Sequence, residues 1–272
     1  MPYKLDPSAM YRMPTHFGPR TGPRRGPSGE RFACQDNPRS TIYAISFLSD
    51  SDSLAALLPP GFSLHGEPVA TLSANYMSEI EWLAGRGYNT LGLTFPARYQ
   101  GQVDDVAGHF LTVLWENLAD PIITGREELG YAKIYCELPS PSVLRGEHHI
   151  TASWLGFRFL DMRIGDLQPA PPQPPAKNLP SLHYKYMPRT GEWGAADIAY
   201  ATMTPAEAPN RRIIEQAIGT GSFAFTRPRW EDMPTQVTIV NALADLPVHE
   251  IRSASLTKTI GGKDLRDTVI LR

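Results

Sequence analysis

The chain has 272 residues, of which 42% are hydrophobic, and this length and composition indicate a globular protein with a sizeable core. Its 26 basic and 28 acidic residues give a formal net charge of -2, which excludes the broad positive surface that nucleic acids or acidic membranes attract. No apolar run approaches the ~20 residues of a membrane helix, and the N-terminus lacks the apolar core of a signal peptide, so we expect a cytoplasmic protein.

Metal, disulfide and nucleotide chemistry find little support in the residue patterns. Cys34 and Cys136 are too few for a disulfide framework, and we expect both to be reduced. The adjacent His148 and His149 would point to opposite faces of a strand, which makes a poor metal site. A phosphate-binding glycine loop and a Gly-x-Ser-x-Gly elbow are both missing from the sequence. We therefore expect no metal and no cofactor.

The N-terminal segment differs in composition from the rest of the chain. Residues 1–39 contain seven prolines and a basic cluster at Arg20, Arg24 and Arg25, without sustained periodicity. This pattern predicts an extended arm, followed by a single domain over residues 40–272. A partly disordered tail and an arm that packs on a neighbouring subunit both fit this composition.

Alternating apolar and polar residues predict strands in the first half of the chain, over residues 41–48, 68–82, 88–97 and 109–115. A short helix is predicted over 53–58. The second and third strands form a hairpin, and the polar face of its first strand carries Ser73, Asn75, Glu79 and Glu81. The two glutamates could serve acid–base chemistry, although a solvated strand end is the more common role of such a pair.

The second half of the chain is also rich in strand patterns, over residues 149–159, 183–187, 198–203 and 248–259. Residues 211–218 predict a helix, residues 236–242 fit a helix or a strand, and the proline-rich stretch 168–175 predicts a surface loop. Many short strands, few helices and frequent Pro and Gly indicate an α+β fold built on a mostly antiparallel, closed sheet.

A short helix followed by a strand is predicted over residues 120–138. Asp120 can cap the helix, Pro121 suits its first position, and Gly130 can end it in the left-handed conformation. Beyond Gly130, apolar and polar residues alternate, which predicts a strand. Lys133 lies on the polar face of this strand, between two tyrosines.

Lys133 admits two interpretations. A lysine on a strand usually projects into solvent, because its ammonium group is costly to bury. The chain, however, has only six lysines against 20 arginines, and the other face of this strand is apolar. Burial lowers the pKa of a lysine, and the neutral amine can then attack a carbonyl carbon to form a Schiff base. We predict that Lys133 is such a nucleophile, buried beside a cavity.

Three motifs resemble those of the acetoacetate decarboxylase family. The run Gly125-Arg126-Glu127, followed by Lys133, is similar to the family's Gly-Arg-Glu segment and Schiff-base lysine. Residues 245–251 resemble its C-terminal Asp-Leu-Pro-Val-x-Glu-Ile segment, and residues 67–68 with the turn at 85–88 resemble its central hairpin. The likeness spans about residues 39–260. It implies a cone-like closed β-barrel with an internal cavity and peripheral helices, and we also expect a homo-oligomer.

The sequence departs from the decarboxylating members at positions around the lysine. Ile134 stands where those members carry a second lysine that lowers the pKa of the first, and two family carboxylates align with Ser73 and Thr90. The resemblance therefore implies a pKa shift supplied by an apolar pocket with neutral hydrogen-bonding groups. Besides Lys133, the candidate substrate-binding residues are Arg126, Glu127, Ser73, Asn75, Tyr76, Tyr88 and Thr90.

The leading functional hypothesis is a cofactor-free lyase in which Lys133 forms an imine with a small keto acid, ketone or aldehyde. Decarboxylation and aldol addition with dehydration are both open to such an imine, with a substrate other than acetoacetate expected. The alternative is a non-catalytic barrel that binds a small apolar or carbonyl metabolite. Neither hypothesis involves nucleic acid or a membrane.

Overall fold

The computed structural model describes residues 2–20, 24–171 and 178–272. Most of this part of the chain is extended. The strands are β1 Arg39–Leu48, β2 Phe62–Leu64, β3 Val69–Ser78, β4 Asn89–Gln100, β5 Asp105–Glu116, β6 Lys133–Tyr135, β7 Ser142–Leu144, β8 Glu147–Trp154, β9 Phe157–Pro169, β10 Ser181–Pro188, β11 Ala196–Thr204, β12 Arg212–Phe225, β13 Glu250–Ile260 and β14 Val269–Ile270.

These strands form one sheet in the order β14-β11-β10-β5-β4-β3-β1-β13-β12-β9-β8-β7, with β2 paired to β4 and β6 paired to β5. Nearly all pairings are antiparallel, while β5 pairs in parallel with both β6 and β10. This confirms the mostly antiparallel α+β fold. Within the described residues the sheet order begins at β14 and ends at β7 without a pairing between them. Hydrogen bonds therefore do not close the sheet, and the closed barrel is not confirmed.

The hydrophobic core is formed by side chains that project from one face of the sheet. On β1 the alternating residues Tyr43, Ile45 and Phe47 are buried, because successive side chains of a strand point to opposite faces. Trp115 at the end of β5 packs against Phe159 of β9, with ring centroids 5.1 Å apart. One continuous cluster of buried side chains thus connects distant strands of the sheet.

Two predicted strands have different bounds in the structure. The strand expected over 68–82 stops at Ser78, because Glu79 adopts a left-handed backbone conformation and residues 81–83 form a 3-10 turn. The strand expected over 149–159 is a hairpin of β8 and β9. Its turn consists of Leu155 and Gly156, which both have positive φ, as a tight hairpin turn requires.

The helix predicted over 211–218 was wrong, since these residues lie in the 14-residue strand β12 apart from Arg211. β12 pairs with both β9 and β13, so its backbone hydrogen bonds are made across the sheet. The isoleucine-rich sequence also favours extended structure, and tertiary pairing overrides the helical spacing of its apolar residues. The undecided stretch 236–242 belongs largely to a helix, Val237–Ala244.

Within the described residues, three α-helices accompany the sheet: α1 Ser51–Ala55, α2 Ala119–Thr124 and α3 Val237–Ala244. Before β1, the described part of the arm contains a 3-10 turn at Thr15–Phe17 and isolated bridges, one of them between Met10 and Arg20. No helix of the described residues has the length and apolar character needed to cross a bilayer. The proline-rich loop predicted over 168–175 falls partly outside these residues, and β9 extends into its start.

Candidate active site

The helix predicted before Lys133 is present, but its first turn differs from the expectation. Leu118 occupies the N-cap position, Asp120 lies inside α2, and the N-cap makes no side-chain hydrogen bond. α2 continues as a π-helical turn, Gly125–Leu129. Gly130 then ends the helix with φ of 85°, as the sequence predicts, because glycine takes this conformation without steric cost.

Gly125 allows the lysine to approach the helix closely. A Cβ atom at this position would lie 2.4 Å from both Cδ and Cε of Lys133, and 2.7 Å from its Nζ. Any larger residue at position 125 would therefore collide with the amine-bearing chain. The Gly-Arg-Glu glycine thus serves a packing role: it creates the space that the buried lysine occupies.

Lys133 is buried, with 3% of its surface exposed, and lies beside a fully buried carboxylate. The Nζ atom is 2.8 Å from Oε1 of Glu116 at the end of β5, and it donates a hydrogen bond of 3.1 Å to the carbonyl of Pro121. The Glu116 oxygens accept no well-aligned hydrogen bond from the described residues. The carboxylate therefore pairs with the amine through its charge and keeps capacity to accept a further hydrogen bond.

Burial lowers the pKa of Lys133 from 10.5 to about 8. Glu116 opposes this shift by favouring the ammonium form, whereas the positive charge of Arg24 adds to it. Burial also raises the pKa of Glu116, and Lys133 partly offsets that effect. A substantial fraction of the amine is consequently neutral near pH 8, as nucleophilic attack requires.

Aromatic rings cover another side of the amine. Nζ of Lys133 lies 5.3 Å from the ring centroid of Tyr131, which stacks on His183 at 3.8 Å. The Tyr131 hydroxyl is held by Thr204 at 2.8 Å. Burial lowers the pKa of His183 to about 3, so this imidazole is neutral at ordinary pH. The stacked rings therefore keep water away from the amine of Lys133 and add no second positive charge beside it.

Arg24 of the N-terminal arm provides the cation that acts on Lys133. Only 7% of its surface is exposed, and Nε and Nη2 have no hydrogen-bond partner within the described chain. Its guanidinium lies 5.5 Å from the centroid of the Trp82 ring. A buried, incompletely paired guanidinium is suited to bind a substrate anion, because carboxylates accept its N–H groups in pairs.

Several sequence-predicted residues line up beside Glu116. Asn75 of β3 faces Thr90 of β4, and Thr90 faces Glu116 of β5, so the three side chains project from the same sheet face. Tyr88 is buried just before β4, at the same end of the sheet. The direct neighbour of Thr90 across the sheet, Glu116, supplies a fully buried carboxylate at this position.

The remaining hairpin candidates lie further along β3. Ser73 faces Ala44 on one side and Gly92 on the other. The ring of Tyr76 meets that of Tyr43 edge-on at 5.9 Å, and its buried hydroxyl has no hydrogen-bond partner in the described part of the chain. Burial raises the pKa of Tyr76, which keeps this hydroxyl protonated.

The charged pair of the Gly-Arg-Glu motif has other contacts. Arg126 is exposed, and its Nη1 donates a 2.9 Å hydrogen bond to the backbone carbonyl of Lys133. It lines a separate cavity of about 270 Å³ together with Lys185. Glu127 forms an ion pair with Arg12 at 3.3 Å. Both charged side chains thus brace the helix that carries the glycine.

Sequence reasoning did not identify Glu116 or Arg24 as site residues. Glu116 is the last residue of β5, and Arg24 is one of three basic residues in the arm. Their proximity to Lys133 depends on the parallel pairing of β5 with β6 and on the path of the arm. The available signal was an acidic residue ending an otherwise apolar strand.

Most of the chain matches a known protein family. The family model described as acetoacetate decarboxylase (ADC) matches residues 12–261. The chain belongs to the acetoacetate decarboxylase family. This membership confirms the resemblance carried by the three sequence motifs and makes the chain a lyase-type enzyme. A comparison with curated protein sequences gave no significant match.

Solved structures share the fold at low sequence identity. Acetoacetate decarboxylase from Legionella pneumophila is 19% identical, with a TM-score of 0.64 over 87% of this chain and 88% of that chain. An acetoacetate decarboxylase-like enzyme from Sphingomonas wittichii is 14% identical, with a TM-score of 0.64 over 86% and 92%. The enduracididine biosynthesis enzyme MppR, complexed with the condensation product of pyruvate and imidazole 4-carboxaldehyde, is 17% identical, with a TM-score of 0.60 over 92% and 97%.

Proposed function

We propose that the chain is a cofactor-free lyase in which Lys133 forms a Schiff base with a keto acid. The observation that carries this proposal is the buried amine, 2.8 Å from the Glu116 carboxylate and with a pKa lowered to about 8. A neutral amine next to a proton acceptor can add to a carbonyl carbon and then lose water to form a protonated imine.

With a 3-oxo acid, the protonated imine supports decarboxylation. The bond between C2 and the carboxylate carbon breaks, and its electron pair moves into the imine to give an enamine and CO2. Glu116 is placed to hold the proton that returns to the enamine carbon. Addition of water then releases the ketone and regenerates the amine of Lys133.

Arg24 is our proposed carboxylate-binding residue, in place of the Arg126 role considered from the sequence. Its guanidinium is buried and its positive charge acts on the amine, whereas Arg126 is exposed and donates to the backbone carbonyl of Lys133. At a pH where the amine is neutral in both proteins, an Arg24→Met variant should weaken the trapping of a keto acid at least tenfold while affecting the matched methyl ketone much less. Equal losses for acid and ketone would assign Arg24 to the scaffold.

Aldol addition and dehydration form the second candidate reaction. The MppR complex with a condensation product of pyruvate and an aldehyde favours it, since that enzyme shares this fold. The same imine of Lys133 would lose a proton to form an enamine, whose carbon then attacks the aldehyde. Loss of the resulting hydroxyl requires a proton donor, for which Glu116 and Tyr88 are candidates.

Borohydride reduction tests the common intermediate. The protein is incubated with pyruvate or acetoacetate and sodium borohydride, and the adduct is mapped by peptide mass spectrometry. We expect a reduced adduct on Lys133 that Lys133→Ala abolishes, with Lys258→Ala as the exposed-lysine control. No adduct with any keto acid would reject the lyase and favour the non-catalytic binding protein. Two product assays separate the reactions. Release of CO2 from a 3-oxo acid indicates decarboxylation, whereas formation of an unsaturated keto acid from pyruvate plus an aldehyde indicates aldol addition with dehydration.

A further inference from the structure

A second cavity lies on the side of the N-terminal arm, where Arg24 and Tyr88 form part of its lining. Its volume is about 240 Å³, and most of its lining is apolar. Its lining includes Phe32 of the arm and Met77 near the end of β3. Ile80 and Trp82, which follow β3, and Leu265 near the C-terminus also line it. We call this cavity the vestibule.

Arg24 and Tyr88 connect the vestibule to the reactive amine. Both residues line the cavity and both are more than nine-tenths buried. Tyr88 lies two residues before Thr90, which faces Glu116 across the sheet. The unpartnered nitrogens of Arg24 belong to this same wall, where Trp82 holds its guanidinium. A molecule bound to Arg24 in the vestibule is therefore at the end of the sheet where Glu116 contacts Lys133.

The remaining polar groups limit what the vestibule can accept. Glu81, Asp264 and Lys263 also line it, and the ammonium of Lys263 is already paired with Asp267 at 2.6 Å, so a second negative charge beside the two acids would be repelled. Oε2 of Glu81 is buried and has no hydrogen-bond partner among the described residues. The apolar walls disfavour charged groups in general, because removing a charge from water is costly. The fitting occupant is a neutral, mainly apolar group.

We propose that the vestibule binds a large apolar substituent of an oxo acid whose carboxylate pairs with Arg24 and whose carbonyl reacts with Lys133. This inference rests on the proposed function and specifies its substrate class. A water molecule occupies about 30 Å³ in the liquid, so the cavity has room for roughly eight groups of that size. The methyl group of acetoacetate would fill only a small part of it.

A chain-length series tests the proposal. Straight-chain 3-oxo acids of four to ten carbons have nearly equal carbonyl reactivity, and each buried methylene should improve binding about fourfold. We expect the concentration that gives half-maximal borohydride trapping on Lys133 to fall at least 50-fold from the four-carbon to the ten-carbon acid. A flat series, with trapping still on Lys133, would overturn the vestibule proposal and leave the Schiff-base function standing.

Two matched methionine variants locate the binding surface. Met77→Trp fills the vestibule and should reduce the ratio of the four-carbon to the ten-carbon half-saturation value to fivefold or less. Met187→Trp, which changes the separate cavity of Arg126, should leave that ratio as in the parent protein. Equal ratios in the two variants would reject the vestibule as the binding surface. Failure of every acid to trap Lys133 would instead reject the proposed function.

Discussion

Lys133 changes protonation state within the ordinary pH range, because burial lowers its pKa to about 8. The reactive neutral form therefore predominates above pH 8 and decreases about tenfold per pH unit below it. We expect the initial rate of imine trapping with a fixed keto acid to rise through pH 6 and 7 and to level off above about pH 8. Mass-spectrometric adduct counts over pH 6–9 measure this profile. A flat profile over this range would contradict the lowered pKa.

Glu116 and Arg24 should shift that profile in opposite directions. Glu116 stabilises the ammonium form, so Glu116→Gln should lower the pKa of Lys133 and move the midpoint of trapping to lower pH. Arg24 repels the ammonium, so Arg24→Met should move the midpoint to higher pH. A shift of about one pH unit is expected for Glu116→Gln, because this carboxylate lies 2.8 Å from the amine. Arg25→Met is the control in the same arm segment, and shifts of both site variants in one direction would contradict the assignment.

Gly125 provides a steric test of the lysine's position. Gly125→Ala places a Cβ atom against Cδ and Cε of Lys133, and overpacking of this kind typically costs about 1–3 kcal/mol. The amine should be displaced, with at least a tenfold loss of trapping and a lowered Tm. Gly165→Ala is the control, because a Cβ there meets its nearest atom at an ordinary 3.8 Å. Unchanged trapping in Gly125→Ala would contradict the geometry.

At the scale of elements, the N-terminal arm is attached to the helix that carries Gly125. Arg12 forms ion pairs with Glu127 and Glu128, and Arg20 also pairs with Glu128. Arg12 donates a further hydrogen bond of 2.9 Å to the hydroxyl of Thr124. The side chain of Glu128 is only 8% exposed, so solvent screens these contacts less than it screens surface pairs. The arm and the helical segment that carries Gly125 therefore stabilise each other.

Glu128→Gln should loosen the arm. Hydrogen bonds to charged groups contribute about 1.5–3 kcal/mol, and this variant removes the negative charge that two arginines share. We expect a lower Tm and faster amide hydrogen exchange over residues 2–20, followed by weaker keto-acid trapping because Arg24 belongs to the same arm. Glu192→Gln, which changes an exposed ion pair with Arg189, should leave all three measurements nearly unchanged. Unaltered exchange in the arm of Glu128→Gln would refute the attachment.

At the scale of the whole molecule, stability depends on the sheet core, whose central strands are far apart in sequence. Ile45 of β1 is fully buried, and β1 pairs with β3 on one side and β13 on the other. Ile45→Ala should lower the free energy of unfolding by about 2–5 kcal/mol, because it leaves a cavity in a packed interior. Ile214→Ala, on the exposed part of β12, should change it by less than about 0.5 kcal/mol. Denaturant unfolding of both variants measures the difference, and similar losses would contradict the assigned core.

Strands and helix ends that depend on neighbouring residues were predictable from the residue pattern alone. Alternation predicted β1, β4, β5 and β13, and Gly130 predicted the end of the helix before Lys133, since only a few residue types accept left-handed backbone. The rarity of lysine and the Gly-Arg-Glu motif singled out Lys133, whose burial the structure confirms. Family membership was also readable from three short motifs. The cytoplasmic location and the homo-oligomer stay predictions.

The strand β12 and the charged neighbours of Lys133 depend on partners that are distant in sequence, and they became visible only in the folded structure. β12 is a strand because β9 and β13 satisfy its backbone hydrogen bonds, a fact absent from its own residues. Glu116 reaches Lys133 through a parallel pairing that follows a helical connection, and Arg24 reaches the site through the path of the arm. The electrostatics of the amine are therefore set by contacts across 17 and 109 positions of the chain. Local sequence patterns carry no record of such distances, because folding brings these groups together only when the whole sheet forms.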